Sequence, residues 1–244
     1  MKPHTSFVLL LGLLPIASTS PAADPDVATY TALYRVEYKG KDVGTSEFRV
    51  RYIAEHDVYE FSSRTLAKGL LKLVSPNPVI ERSEFRATRN GIVPLKFWYE
   101  DGSRKGEDNL EIVFDWERQV AMVSSSAGNR EIPLQSGALD RGSLQVALMR
   151  DLATTGQPGR YLLTDEDSIR GYEYRDNGTA TTTTGFGALA TRSLMQQREG
   201  SSRSTWLWLA PELRFLPARI EQRRDGELYT AFSLLSVSGL TAEK

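Results

Sequence analysis

Outside the first few residues the chain has one histidine, His56, in the polar run Glu55-His56-Asp57; the other is His4. A Ser-His-acid arrangement would need His56 as its base, with Glu55 or Asp57 orienting the ring. Adjacent residues of an extended chain point to opposite faces, so neither acid is well placed for that. A polar tight turn predicts a solvated imidazole instead. One histidine and no cysteine cannot assemble an imidazole or thiolate metal site. Asp165, Glu166 and Asp167 form an acidic cluster, but without the ligand spacing and central glycine of a calcium loop, and they read as a turn. Asp115 beside Trp116 is the acid best suited to a glycosidase pair, since an apolar neighbour raises a carboxyl pKa and an aromatic ring stacks on a sugar. The competing reading is a strand-end aspartate that accepts backbone hydrogen bonds. Gly185–Gly187 lacks the lysine and following helix of a phosphate loop. Asn177-Gly178-Thr179 matches a glycosylation pattern and also a hairpin turn, and the turn is preferred. No catalytic residue, cofactor or metal is assigned, and the chain is expected not to be an enzyme.

Aromatic residues are the stronger signal. Trp98, Trp116, Tyr172, Tyr174, Trp206 and Trp208 are the candidate ligand-binding residues, and all lie within segments that read as strands. Residues two apart on a strand share a face, so Trp206 and Trp208 form a stripe. Such a stripe can line the mouth of a barrel holding an apolar or sugar ligand, or it can be core, which is the default for aromatic side chains. As core, at least one of the two would cost about 3 to 5 kcal/mol when cut to alanine.

These residues belong to a chain of 244 with 40% hydrophobic and 25% charged residues, ordinary for a protein with a real core. Lys2, the apolar run Phe7–Ile16 and the small-residue segment ending at Ala22 or Ala23 follow the order of a secretory signal peptide. Gly12 and Pro15 interrupt that run, and it falls short of the about 20 residues that span a bilayer. Residues 1–23 therefore read as a signal peptide and residues 24–244 as one β-barrel-like domain, exported to the periplasm with no transmembrane segment. The lack of cysteine excludes disulfides and a lipid-modified cysteine anchor. The net charge of −1 offers no single-sign field for nucleic acid. The 22 arginines are scattered, which favours cross-strand Arg–Glu pairs over a dedicated anion site.

The elements that position these residues are almost all strands. Tyr34, Val36 and Tyr38 alternate with Arg35, Glu37 and Lys39; Phe48, Val50 and Tyr52 alternate with Glu47, Arg49 and Arg51. Further strands are predicted over 58–65, 79–87, 95–100, 109–116, 160–164, 169–175, 179–184, 188–198, 203–209, 218–223 and 227–237. Turns are expected at Asn90-Gly91, Asp101-Gly102, Asp176-Asn177-Gly178 and Arg224-Asp225-Gly226. Ser143–Ala153 carries Leu144, Ala147, Leu148 and Leu152 at helical spacing, with Asp140 or Ser143 as cap. The segment 65–74 reads as either a strand end or a helical turn. So many short strands imply an all-β fold: an antiparallel barrel-like or strongly curved sheet with one short helix that plugs an end or covers an edge.

The chain resembles the secreted bacterial domain-of-unknown-function family 3108. The resemblance lies in Tyr34–Gly44, Gly91–Glu100, Val113–Trp116, Leu139–Leu152, Gly171–Gly178 and Thr205–Gln222, in that order. It implies an exported, mainly β protein and carries no reaction, cofactor or site residue. The expected role is an accessory protein binding an apolar or amphipathic molecule, such as a lipid, or an envelope protein. The alternatives are a scaffold filled by its own side chains and a carboxylate-dependent hydrolase of envelope glycans.

Overall fold

The computed structural model describes residues 23–73 and 75–240; the N-terminal segment that reads as a signal peptide lies outside them, apart from Ala23. Sixteen strands and one α-helix are formed among the described residues. In chain order the strands are β1 (Tyr30–Tyr38), β2 (Lys41–Ile53), β3 (Val58–Ala67), β4 (Val79–Thr88), β5 (Gly91–Glu100), β6 (Leu110–Asp115), β7 (Val120–Ser125) and β8 (Gly128–Pro133). Then come β9 (Ala138–Leu139), α1 (Arg141–Thr155), β10 (Tyr161–Thr164), β11 (Ile169–Tyr172), β12 (Arg175–Thr184), β13 (Gly187–Gln197), β14 (Arg203–Ala210), β15 (Leu216–Arg224) and β16 (Glu227–Ser238).

Thirteen strands make one antiparallel sheet. It consists of two meanders, β1–β8 and β12–β16, joined where β16 pairs with β1. The ladder ends at β12 and β8, so the sheet is barrel-like but not closed. A small sheet of β11, β10 and β9 supports the helix beside it. Period-two patterning explains the curl. Tyr30, Ala32, Tyr34 and Val36 of β1, with Phe48 and Val50 of β2, turn inward and are buried. The convex face carries charged ladders: Glu60 binds Arg51 at 3.0 Å and Arg82 at 3.4 Å, and Glu221 binds Arg219 at 2.8 Å and Arg223 at 2.7 Å. Arg51 and Arg82 make the cross-strand pairs expected from sequence, whereas Arg219 and Arg223 flank Glu221 on its own strand.

Helix α1 sits inside the curl. Leu144, Val146, Ala147, Leu148, Met149 and Leu152 are all buried, a wider face than the four positions at helical spacing. The Asp140 side chain accepts from the Ser143 amide at 2.9 Å while Ser143 Oγ accepts from the Asp140 amide at 2.9 Å, a reciprocal cap. Gly156 ends the helix in the left-handed conformation, φ 71°. At the helix start the backbone nearly touches the sheet: a Cβ on Gly142 would lie 2.7 Å from both Phe61 Cδ1 and Ser83 Cβ. Only glycine allows that approach.

The structure departs from the sequence reading in three places. Asp176-Asn177-Gly178 is no hairpin turn. It is an irregularity inside β12, where the register with β13 shifts between Asp176 and Thr179 and the Gly178 amide donates to Asp176 Oδ1 at 2.8 Å. Strands β7 and β8 follow where none was predicted, although Ala121 and Val123 alternate inward. The ambiguous segment is both things: β3 runs to Ala67 and a 3₁₀ turn covers Gly69–Leu73.

Asp140 is fully buried, and burial pushes its carboxyl up to about 6 from 3.8, against the opposing hydrogen bonds of Ser143 and Ser83. Folding therefore favours its protonated form. The stabilisation from that preference is complete below about pH 4 and is lost as pH rises through about 6. Asp140→Asn keeps a capping oxygen and removes the titration. Denaturant unfolding should show the stability of the parent relative to Asp140→Asn falling by about 3 kcal/mol or less between pH 4 and 7. A difference that grows with pH would contradict this assignment.

Candidate functional site

Between α1 and the inward face of the sheet lies a cavity of about 270 Å³. Phe48 of β2, Phe61 of β3, Leu144 and Leu148 of α1, Leu207 of β14 and Phe232 of β16 give it an apolar wall. The helix fills the rest of the curl, tied down by Gln145 donating to Tyr30 Oη at 3.1 Å and Arg150 donating to the Thr88 carbonyl at 3.0 Å.

The polar groups of the cavity are few. Glu81 of β4 and Arg141 of α1 face it on one side, Thr205 and Gln222 on the other. Burial raises the Glu81 carboxyl, with Arg141 opposing. The Arg141 guanidinium rests over Phe97 and Tyr99, 5.0 and 4.7 Å from their ring centres. Tyr172 and Tyr174 complete the wall, their rings 5.5 Å apart and edge to face. Burial raises both phenols, and Tyr172 also hydrogen-bonds Thr205. A largely apolar wall with one guanidinium, that of Arg141, and a few hydrogen-bonding groups suits an apolar chain with a polar end.

Of the six aromatic candidates, the structure brings Tyr172 and Tyr174 to this cavity and leaves the other four elsewhere. Trp98 stands between Lys96 and Arg82, 4.5 and 6.0 Å from its ring centre. Trp116 donates its indole N–H to the Pro94 carbonyl at 2.7 Å and stacks on Phe114 at the second hydrophobic cluster, under β5–β8. Trp206 and Trp208 stack on each other at 6.2 Å, both only partly buried, while their neighbours Leu207 and Leu209 are buried and line the cavity. The tryptophan stripe is thus on the convex face, with Arg223 over Trp206 at 5.2 Å. Sequence reasoning missed Phe48, Phe61, Leu207, Phe232, Glu81 and Arg141 as wall residues. The alternation of Leu207 and Leu209 with the tryptophans was visible, but not which of the two faces turns inward.

The residues considered for chemistry hold structural positions. His56 is exposed in the β2–β3 turn, and Asp57 accepts from the Tyr52 hydroxyl at 2.9 Å. Asp115 accepts from the Arg118 amide at 2.9 Å, as a strand-end aspartate. Glu166 accepts from Ser125 Oγ at 2.6 Å, and Asp167 pairs with Arg170. Among the described residues, no group of three or more His, Cys, Asp or Glu is placed to hold a metal ion. Among the described residues no helix is long and apolar enough to cross a membrane.

A sequence model of the family described as "Protein of unknown function (DUF3108)" matches residues 33–230. Among solved structures the chain is similar to the β-barrel-like protein of domain of unknown function DUF1849 from Brucella abortus, with a TM-score of 0.54 and 8% identity over 87% of this chain and 98% of that one. At that identity the likeness shows the fold alone. Weaker similarity extends to a candidate lipoprotein from Parabacteroides distasonis, with a TM-score of 0.38 and 9% identity over 88% of this chain and 97% of that one. A candidate exported protein with a YmcC-like fold from Bacteroides fragilis gives a TM-score of 0.39 and 9% identity over 86% of this chain and 96% of that one. No curated protein matches the sequence.

The placement of β14 sets an order of stabilities. Trp206→Ala and Trp208→Ala, on the convex face, should each cost about 1 kcal/mol through lost stacking and cation–π contact. Leu207→Ala, facing the cavity, should cost about 2 to 3 kcal/mol. Denaturant titration of the three variants checks the order, and either tryptophan variant losing more than Leu207→Ala would reverse the assignment of faces.

Proposed function

The chain belongs to the DUF3108 family of unknown function, and from that premise we propose that it is an exported, non-enzymatic accessory protein of the periplasm that holds an apolar or amphipathic molecule inside its curled sheet. The observation that carries the reading is the cavity of about 270 Å³ between α1 and the sheet. A scaffold filled by its own side chains would leave no such space, because protein interiors normally pack to crystal-like density. The cavity's largely apolar wall favours an apolar guest. Export is supported by the charge, apolar run and small residues at the N-terminus.

A surface patch after β3 fits the same role. Leu70 and Leu73, on the 3₁₀ turn after β3, are 82% and 73% exposed, with Lys68 and Lys72 beside them. This turn adjoins the β1–β2 hairpin, where the Lys68 amide donates to the Val43 carbonyl at 2.8 Å. Lys68 pairs with Asp42 at 2.6 Å, and the exposed leucines with Lys72 suit contact with an anionic lipid surface from which such a molecule is taken up.

Native mass spectrometry of protein purified from its own envelope fraction tests the reading. The expected result is a co-purifying amphiphile bound one to one, removed by organic extraction. Ile220→Trp, which fills the cavity from β15, should fold and bind an added alkyl chain at least about tenfold more weakly. A parent protein that carries no small molecule and binds no added alkyl chain would overturn the proposal.

A further inference from the structure

The inward faces of β14 and β15 change character together along their length. Leu207 stands opposite Ile220, Thr205 opposite Gln222, and Arg203 opposite Arg224. The first two pairs line the cavity. Thr205 and Gln222 also line a second recess, of about 200 Å³, whose remaining walls are Arg203, Ser204, Arg223, Arg224 and Tyr229. The two spaces therefore share a wall, and the side chains along it run apolar, then neutral polar, then cationic.

The arginine pair is unfavourable in an empty protein, since like charges directly opposite on neighbouring strands repel. Nearby acids relieve it only in part. Arg224 makes an exposed contact of 4.0 Å with Asp225, and Glu227 lies across the hairpin from it without closing an ion pair. Arg223 is held by Glu221 on the other face at 2.7 Å. Among the described residues Arg203 has no carboxylate partner, and no acid lines the recess. Ser204, Thr205 and Tyr229 line the same space, their hydroxyls hydrogen-bonded to Trp206, Tyr172 and Tyr38 respectively.

Resting on the reading above, we propose that the ligand is an anionic amphiphile. Its alkyl chain lies against Leu207, Ile220 and Phe232. Its phosphate or carboxylate head sits between Arg203 and Arg224, where guanidinium forks bind two oxygens at once and hydroxyls fill the remaining sites. Thr205 and Gln222 bond the neutral linkage between chain and head.

Three probes with one acyl chain test this by isothermal titration below their critical micelle concentrations: 1-lauroyl lysophosphatidic acid, 1-lauroyl lysophosphatidylcholine and 1-lauroylglycerol. The anionic probe should bind at least about tenfold tighter than the other two. Arg203→Gln with Arg224→Gln, both on exposed side chains, should bring that ratio to within about threefold while leaving 1-lauroylglycerol affinity unchanged and the melting temperature no lower. Equal binding of all three probes by the parent would overturn the headgroup site and leave the cavity reading standing. No binding of any probe would overturn both. Glycerol 3-phosphate binding as tightly as the anionic lysolipid would show a site for a free phosphate ester and overturn the amphiphile.

Discussion

A curled sheet of thirteen strands turns more side chains inward than a helix of fifteen residues can cover. Every other architectural feature answers that mismatch. The helix is driven deep, burying residues on more than one side, and glycine at position 142 lets its first turn approach β3 and β4. The reciprocal cap of Asp140 and Ser143, with Ser83 donating to Asp140 at 2.9 Å, fixes where the helix begins. What the helix leaves uncovered is the cavity. An unfilled apolar interior costs stability, because atoms lining it lose packing partners. Its persistence is easiest to understand if something occupies it.

The electrostatics divide along the sheet. The convex face carries Arg–Glu ladders in which partly exposed arginines cover the buried carboxylates of Glu60 and Glu221. Inside, ionisable groups shift toward neutrality: Asp140 and Glu81 are raised by burial, as are the phenols of Tyr34, Tyr172 and Tyr174. Fixed positive charge stands at Arg141 on the cavity wall and again at the end where Arg203 and Arg224 face each other. A molecule with one charged end and one long apolar end matches that distribution; a sugar, polar along its length, does not.

Much of the fold was legible in the residues. Tyr34, Val36, Phe48 and Val50 declare half-buried strands by alternation, and Leu144, Ala147, Leu148 and Leu152 declare the helix. The resemblance to the DUF3108 family was legible too, and the family match extends over residues 33–230. The candidate site was legible only in Tyr172 and Tyr174. On β14 both faces are apolar, so Trp206 and Trp208 compete with Leu207 and Leu209 for the interior, and local patterning cannot choose between them. The direction of sheet curvature chooses, and it arises from pairings such as β1 with β16 that are almost the length of the chain apart. Asn177-Gly178 failed for a related reason: the dipeptide satisfies a bulge as readily as a turn, and the partner strand β13 decides.

The central claim is that an apolar chain lies between α1 and the sheet. A crystal structure of the protein with a terminally brominated long-chain fatty acid, read by bromine anomalous scattering, tests it most directly. The predicted result is one bromine peak among Phe48, Phe61, Leu148 and Phe232, with the chain running toward Thr205 and Gln222. A bromine peak confined to the outer surface, with the cavity holding only water, would contradict it.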